Sequence, residues 1–400
     1  MDNKSLPQLC GDRDCTGCMA CVNACNKQAL NIAKNAEGFY RPQLDASKCM
    51  MCGLCEKSCP VLNPPARKKM EDVKVFAAWH FDEKVRMNSS SGGAFTALAE
   101  VVLKNRGVVV GAAYTKDMHV EHVAITETKD LANLRLSKYA QSNIGNVLEE
   151  VRHYLREGRQ VLFVGTACQA AGLRGYLRKN YDNLISADII CHGVPSNNLL
   201  QSYLKWIEPK TGKVCGINFR DKQKGWYDNL RVMTNTDGKC KVMKGDDDAY
   251  WVAFNRNNCL QESCYHCKAQ GFPRCSDITL ADFWRIGHNI PFGHKDDIEK
   301  GISMIIVNNP RAQWIVDAAK SNMYLEERTI EESIDGNRAG VKSSARPTSR
   351  DSFYHDLETM PFEQFRVKYM KPNAKEQLVK AFRERLPFWL IKMIRLKKQK

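Results

Sequence analysis

Apolar residues in this chain change texture near residue 72. Beyond it, short apolar runs alternate with stretches in which apolar positions recur every three or four residues. VKVFAAWH (73–80), GVVVGAAY (107–114) and QVLFVGTA (160–167) have the length and composition of short buried strands. AFTALAEVVLKN (94–105) and IGNVLEEVRHYLRE (144–157) instead place their apolar residues on one helical face. Between about 210 and 255 the pattern becomes alternating and charged, with INFRD and LRVMTN as candidate edge strands; ISMIIVNN is a last strand candidate. Strand and helix in alternation predict a mixed or parallel sheet with helices packed on it. After residue 345 the chain turns polar and then helical, through KEQLVKAFRERL and LPFWLIKMIRLKKQK.

The first sixty residues are instead dense in cysteine, and that segment ends at Cys59-Pro60. VLNPPARKKMED follows, rich in proline and charge as linkers are. The predicted organisation is a first domain over 1–62, a linker over 63–72, an α/β domain over 73–345 and a basic helical tail over 346–400. A chain of 400 residues suits such a division, because single cores rarely grow past about 250–300 residues.

Composition sharpens this picture in two ways. Seventeen cysteines, an odd number, behind a start (MDNKSLPQLCGD) without a basic then apolar leader pattern predict a reducing, cytoplasmic setting and thiolate chemistry with metal. No stretch approaches the roughly 18–20 apolar residues of a spanning helix. The net charge of +15 is concentrated in the tail, where residues 361–400 hold twelve Lys or Arg against three Glu. Nucleic acid is not expected as a partner. LPFWLIKMIRLKKQK reads either as an apolar stripe docked on the protein's own core or as a helix in an anionic membrane interface at the cytoplasmic face.

Cys15, Cys18 and Cys21 form C-x2-C-x2-C with Cys25 three residues on; Cys49, Cys52, Cys55 and Cys59 repeat the pattern. Two-residue spacers let three thiolates on one loop reach three irons of a cube, while the fourth cysteine of each run ligates the other cluster. The expected 4Fe-4S sets are Cys15, Cys18, Cys21 and Cys59, and Cys49, Cys52, Cys55 and Cys25. Zinc would need only two CxxC pairs per site and leaves the third cysteine of each repeat unexplained. Pro60 follows its cysteine, whereas Asn26 stands at the equivalent place in the first repeat.

A second group of thiols lies further on: Cys168 in GTACQAAGL, Cys191 in CHGVPS, and Cys264 and Cys267 in SCYHC, with Cys215, Cys240, Cys259 and Cys275 scattered around them. A local zinc site would use Cys259, Cys264, Cys267 and Cys275. A non-local third 4Fe-4S cluster would draw Cys168 and Cys191 from strand ends to the CxxC pair. Spacing leaves both open.

The segments SSSGGAFTALA, LSKYAQS, GTACQAAGLRGYL, ADIICHGVPS, INFRDKQKGW and SCYHCKAQGFPRCSDITLADFW, in this order, resemble the coenzyme F-420 hydrogenase/dehydrogenase β-subunit family of iron-sulfur flavoproteins. The resemblance runs from about residue 73 to residue 310. It implies an α+β and α/β multidomain protein: a bacterial-type ferredoxin fold with two 4Fe-4S clusters, then an FAD-binding α/β domain with a mixed sheet. It also implies an iron-sulfur cluster beside the flavin, on the motif cysteines matched here by Cys168, Cys191, Cys264 and Cys267.

Flavin candidates follow from that resemblance. Ser91, Gly92 and Gly93 precede a helix, where backbone N–H groups suit a phosphate, although an ordinary cap and turn has the same look. Ser137, Lys138, Tyr139, Gln141 and Ser142 form a second loop whose lysine can offset anionic charge. Thr166 ends a strand, and the carboxyl ends of parallel strands are a favoured ligand position. Asp277, Asp282 and Arg220 match recurrent positions and read equally as buried ion pairs; His192 is a candidate proton relay or a structural histidine. The implied activity is a flavin-dependent iron-sulfur oxidoreductase passing electrons between the ferredoxin clusters and FAD. Its expected partners are ferredoxin or another electron carrier and a small-molecule or glycan-linked substrate, with coenzyme F-420 a further candidate. Related chains of this architecture are similar to proteins of cell-surface polysaccharide biosynthesis. A non-catalytic electron-transfer subunit and a zinc-stabilised interaction protein are the alternatives.

Overall fold

The structure is a computed structural model that describes residues 5–228, 230–244, 247–372 and 378. The helix expected over KEQLVKAFRERL, apart from Leu378, and the tail 386–400 with its two readings lie outside the described residues. Among the described residues no helix is long and apolar enough to cross a membrane.

The cysteine-rich segment carries one hairpin, β1 (Leu30–Lys34) and β2 (Tyr40–Leu44), paired antiparallel. Its two C-x2-C-x2-C loops share a backbone conformation. Gly17 and Met19 are left-handed in the first, Met51 and Gly53 in the second, so glycine and methionine exchange places across the repeat. Each loop then enters a short helix, Ala20–Asn23 or Leu54–Ser58. A Cβ at Gly17 would lie 2.9 Å from the Tyr40 carbonyl and nearer still to the Gln141 amide, so close approach as well as φ requires glycine there.

The larger part is built on a mixed sheet of β3 (Lys74–His80), β4 (Val108–Tyr114), β5 (Val120–Ile125), β6 (Val161–Thr166), β7 (Leu184–Ile189), β11 (Ile278–Asp282), β12 (Ser303–Val307) and β13 (Met323–Arg328). Their order is β13-β3-β12-β11-β7-β6-β4-β5. The β4-β6-β7-β11 run is parallel, and antiparallel pairs close both ends. The expected strands in VKVFAAWH, GVVVGAAY, QVLFVGTA and ISMIIVNN are all present. β13 was not foreseen: MYLEER has little apolar content, and it earns its strand by hydrogen bonding to the edge of β3.

Helices cover both faces. Ala94, Ala97, Leu98, Val101 and Val102 bury one stripe of the helix Ala94–Lys104 against one face, spaced at intervals of three and four as a 3.6-residue repeat demands. Val151 and Leu155 of Val147–Arg156, with Leu173 and Leu177 of Ala167–Leu177, cover part of the other. β3 alternates Phe76 and Ala78 into one core with Val75, Ala77 and Trp79 into another, which is why its run reads as continuously apolar.

A second sheet has the order β10-β9-β8, formed by β8 (Val214–Asp221), β9 (Leu230–Asn235) and β10 (Cys240–Lys244). LRVMTN, expected at an edge, is therefore its central strand. Helices Arg350–Thr359 and Phe362–Tyr369 bury Phe353, Tyr354, Phe365 and Tyr369 in the core beneath this sheet, so the polar run after 345 ends in packed structure.

The cysteine-rich module is bound tightly to the rest. Met19, Ala20 and Cys18 join the core under Ala167–Leu177, and Phe39 joins the core of the second sheet. Arg350 makes paired hydrogen bonds of 2.7 and 2.6 Å to Glu37. The stretch read as a linker is also held: Arg67 donates to the carbonyls of Lys268, Gln270 and Pro273. A guanidinium offers five donors in one plane, enough to tie three carbonyls at once.

Candidate functional site

Cys15, Cys18, Cys21 and Cys59 line one small cavity of about 20 Å³, joined by Cys55 and Cys10. Cys10 belongs to no spacing motif, so nothing in the sequence set it apart. Burial, opposed chiefly by the Ala20 backbone N–H, pushes the Cys18 thiol up to about 12. Burial likewise pushes Cys10 up to about 12, with Cys15 and Cys59 adding to the effect. Crowded thiols of this kind favour the anionic form only when a cation compensates them. In the second set, backbone N–H groups aim at sulfur: Met51 N–H donates to Cys49 at 3.4 Å and Ala29 N–H to Cys25 at 3.2 Å.

The main cavity, about 610 Å³, opens where the parallel strands β6, β7 and β11 end, at Thr166, Ile189 and Asp282. Cys168, Cys191, Cys264 and Cys267 all line it, drawn from three separate segments. Cys168 lies at the head of the helix Ala167–Leu177, where the Thr166 hydroxyl is 3.1 Å from its sulfur. Burial raises all four thiols; Cys191 reaches about 11, with Cys267 as the next cause and the Gly193 backbone N–H opposing.

Of the local zinc set, Cys264 and Cys267 line the main cavity while Cys259 and Cys275 do not, although Cys264 also packs against the core that holds Cys259. Cys259 is fully buried in the core of the second sheet, where Tyr354 donates to its carbonyl, and Cys275 lies outside the cavity lining. Among the described residues, no group of three or more His, Cys, Asp or Glu closes on a single metal position. A cluster of four irons has a bulkier body than one tetrahedral ion and so separates its thiolates further.

Ser91, Gly93, Ser137, Lys138, Tyr139, Gln141, Ser142 and Thr166 line the same cavity. The two candidate loops touch: Ser137 N–H donates to the Ser90 hydroxyl at 3.0 Å. Gly93 is left-handed and opens the helix Ala94–Lys104, whose first residues face the cavity. Gly92 does not line it. A Cβ there would lie 2.4 Å from the Ala78 carbonyl and 2.7 Å from the Ser303 N, so this glycine serves close packing.

Other side chains have duties of their own. The Tyr139 ring sits among Phe219, Trp251 and Phe254 at 4.9–5.2 Å. Gln141 accepts from Tyr40 N at 2.7 Å and donates to Gln261, which in turn donates to the Cys15 carbonyl at 3.1 Å. This amide pair fastens the cysteine loop to the cavity wall. Burial alone pushes the Lys138 ammonium down to about 7 while it donates to Asn133 O at 2.9 Å.

Of the weaker candidates, Arg220 and Asp282 form a paired salt bridge of 3.1 and 3.3 Å on the cavity wall, with Trp226 donating to Asp282. Asp277 is a structural hub. Fully buried, it binds Arg174, Arg311 and Ser186, and although burial raises its carboxyl, those partners hold it well below the usual range. His192 lines the cavity with Nε2 spent on Asn257 at 2.6 Å.

One wall residue, His122, and one residue behind the wall, Lys222, escaped sequence reading. His122 lies between Ser142 Oγ, 2.6 Å from Nδ1, and the Val164 carbonyl, 3.2 Å from Nε2. A carbonyl only accepts, so Nε2 carries the proton and Ser142 donates to Nδ1. Burial pushes the ring down to about 4, keeping it neutral. Lys222 donates to the carbonyls of Arg86, Ser91 and Lys300 at 2.6–2.8 Å and so fixes the Ser91 loop from behind. Both lie in strand or loop stretches with no spacing signal.

Family models agree with this layout. "Coenzyme F420 hydrogenase/dehydrogenase, beta subunit N-term" matches residues 75–149, the corresponding "C terminus" model matches 158–333, and "4Fe-4S dicluster domain" matches 14–63. The chain belongs to the coenzyme F420 hydrogenase/dehydrogenase β-subunit family. It is an iron-sulfur redox member of that family, with a ferredoxin-like 4Fe-4S module at its N-terminus.

Individual relatives match in parts. Archaeal-type glutamate synthase (NADPH) of Thermotoga maritima is 33% identical over 79 residues, 19% of this chain and 15% of that protein. Ferredoxin-type protein NapF of Escherichia coli K12 is 39% identical over 44 residues, 11% of this chain and 27% of NapF. This chain therefore spans well under a third of the curated relatives it matches. A chain of the F420-reducing NiFe hydrogenase complex from Methanosarcina barkeri aligns with a TM-score of 0.45 at 16% identity, over 69% of this chain and 92% of that one.

Proposed function

We propose that this family member is a flavin-dependent oxidoreductase in which residues 1–62 hold two 4Fe-4S clusters and the main cavity holds FAD beside a third. The observation that carries the reading is that one cavity is lined at once by Cys168, Cys191, Cys264 and Cys267 and by the Ser91–Gly93 and Ser137–Ser142 loops. Its volume lies within the range of cofactor sites. The donor set fits: four half-buried thiols suit a cube, and a helix N-terminus with Ser91, Ser137 and a half-buried lysine suits an anionic phosphate. When bound, the clusters supply single-electron exchange and the flavin couples it to two-electron chemistry.

The chain's own residues bind and orient. Lys222 and the Ser90–Ser137 contact hold the phosphate loops in place. Because Ser142 spends its proton on His122 Nδ1, its oxygen is left as an acceptor on the cavity wall, and Arg220, held by Asp282, keeps its charge there. A two-electron partner such as coenzyme F420 or a glycan-linked substrate would react in this same cavity. Because Lys138 sits near pH 7 when its neighbourhood is uncharged, binding of an anionic flavin at pH 8 takes up about one proton. Calorimetry in buffers of different ionisation enthalpy reads that proton, and Lys138→Met removes it.

The deciding experiment is anaerobic purification with iron, sulfide and flavin counted per chain. About twelve irons and one flavin are expected, against about eight without the third cluster. Cys168→Ala should lose about four irons and Cys259→Ala none; zinc alone, without flavin absorbance, overturns the reading. The family name, a subunit, favours a second reading as an electron adaptor for a partner protein. That form would carry flavin and clusters yet turn over no small molecule alone.

A further inference from the structure

The two sides of the ferredoxin-like module face different surroundings. Cys18 is buried, and a Cβ on Gly172 would lie 2.9 Å from its sulfur, which sets this loop hard against the helix headed by Cys168. A Cβ on Gly175 would lie 2.3 Å from the Ser58 carbonyl, so the same helix face accepts the second fold of the module just as closely.

Among the described residues the other side is uncovered. Cys52 is exposed, and Met50 and Met51 are 54% and 38% exposed. Lys27, Lys48 and Lys57, all exposed, stand within two residues of Cys25, Cys49 and Cys55. Asp45 pairs with Lys48 at 3.2 Å and Glu56 accepts from Gln8 N at 2.8 Å, so three lysines against two carboxylates leave this rim weakly positive.

We infer that the 49–52 loop with its lysine rim is the docking surface for a protein electron carrier whose own redox centre is ringed by acidic residues. Two exposed methionines give an adaptable apolar contact, and a basic rim steers an acidic partner while matching little else. Brief redox encounters need only a modest buried area. Each encounter moves one electron from the reduced carrier onto the module, with no bond made or broken and no proton required. The inference rests on the two-cluster reading above and places its outer cluster, on Cys25, Cys49, Cys52 and Cys55, at the carrier, with the Cys18 side against the helix headed by Cys168.

The test uses the whole chain, purified anaerobically with its clusters, and two probes: an acidic 2Fe-2S plant-type ferredoxin and methyl viologen, both reduced. The ferredoxin rate should fall as salt rises. The combined variant Lys27→Glu, Lys48→Glu, Lys57→Glu should lower the ratio of ferredoxin to viologen rate about tenfold or more. Calorimetric binding of oxidised ferredoxin should weaken in step. Met50→Ser with Met51→Ser leaves the charges in place; it should weaken binding at high salt and serves if the triple variant loses iron. Unchanged ferredoxin affinity and rate in both variants overturns the inference. So does a shift in the chain's own oligomeric state with ferredoxin binding intact, which would assign the patch to a second copy. A chain that binds ferredoxin here but carries no flavin keeps this inference and removes the flavin reading instead.

Discussion

The two thiol assemblies of this protein are built in opposite ways. Cys15, Cys18 and Cys21 are gathered by one loop whose left-handed residues recur in the second repeat, so a few residues of local backbone shape the set. Cys168, Cys191, Cys264 and Cys267 meet only because β6 and β7 end side by side and the 259–267 segment folds over them. A local set survives much damage elsewhere; a set made by a sheet depends on the sheet. The helix Ala167–Leu177 joins the two, with Cys168 at one end and Gly172 and Gly175 pressed on the module.

That contrast can be broken most severely at Cys18. Cys18→Ala removes both a proposed cluster ligand and part of the buried core under the helix, so about four irons should be lost and the melting temperature should drop. Asp277→Ala acts on the sheet alone. Leaving Arg174 and Arg311 without their buried carboxylate should cost about 3–5 kcal/mol in denaturant unfolding, with the ferredoxin absorbance retained at low denaturant. If both assemblies fail together, they form one cooperative unit and the contrast is wrong.

Gly172→Val probes the joint. Its side chain would meet Cys18 Cβ at 2.7 Å, and overpacking of this kind costs about 1–3 kcal/mol. Limited proteolysis should then cut between module and sheet faster than in the parent chain. The most gradual effect is electrostatic, spread over a range of pH. His122 is held neutral to about pH 4 in the folded chain, whereas an unfolded histidine takes its proton near 6.5. Between those values the unfolded state binds more protons, so stability falls as pH drops, by at most about 1.4 kcal/mol per pH unit. His122→Phe should flatten that slope, and an unchanged slope would place the titration elsewhere.

Much of the cavity was legible in advance because its walls are strand ends. The apolar runs of β4, β6 and β12 mark a buried sheet, and the residues just after β6 and β7 are then candidates by position. Gln141 shows the limit: its place in the loop suggested a flavin contact, yet its amide is committed to Tyr40 and Gln261. A polar residue's partner is not written in its spacing. Gly92 is similar, since only the crossing of β3 and β12 behind it explains why no Cβ fits. His122 and Lys222 gave no signal because burial by distant segments, and nothing local, sets their charge.

By itself, the sequence determined the ferredoxin-like module, since two-residue spacing and a duplicated loop are local facts of the chain, and it determined the alternation that makes a mixed sheet. Only the tertiary structure decided which scattered cysteines share the main cavity, which Cys264 and Cys267 line and their near neighbours in sequence, Cys259 and Cys275, do not. The physical reason is that strand order is fixed by which apolar faces can be buried together. Order in space, and not distance along the chain, brings Cys168 and Cys191 to the CxxC pair.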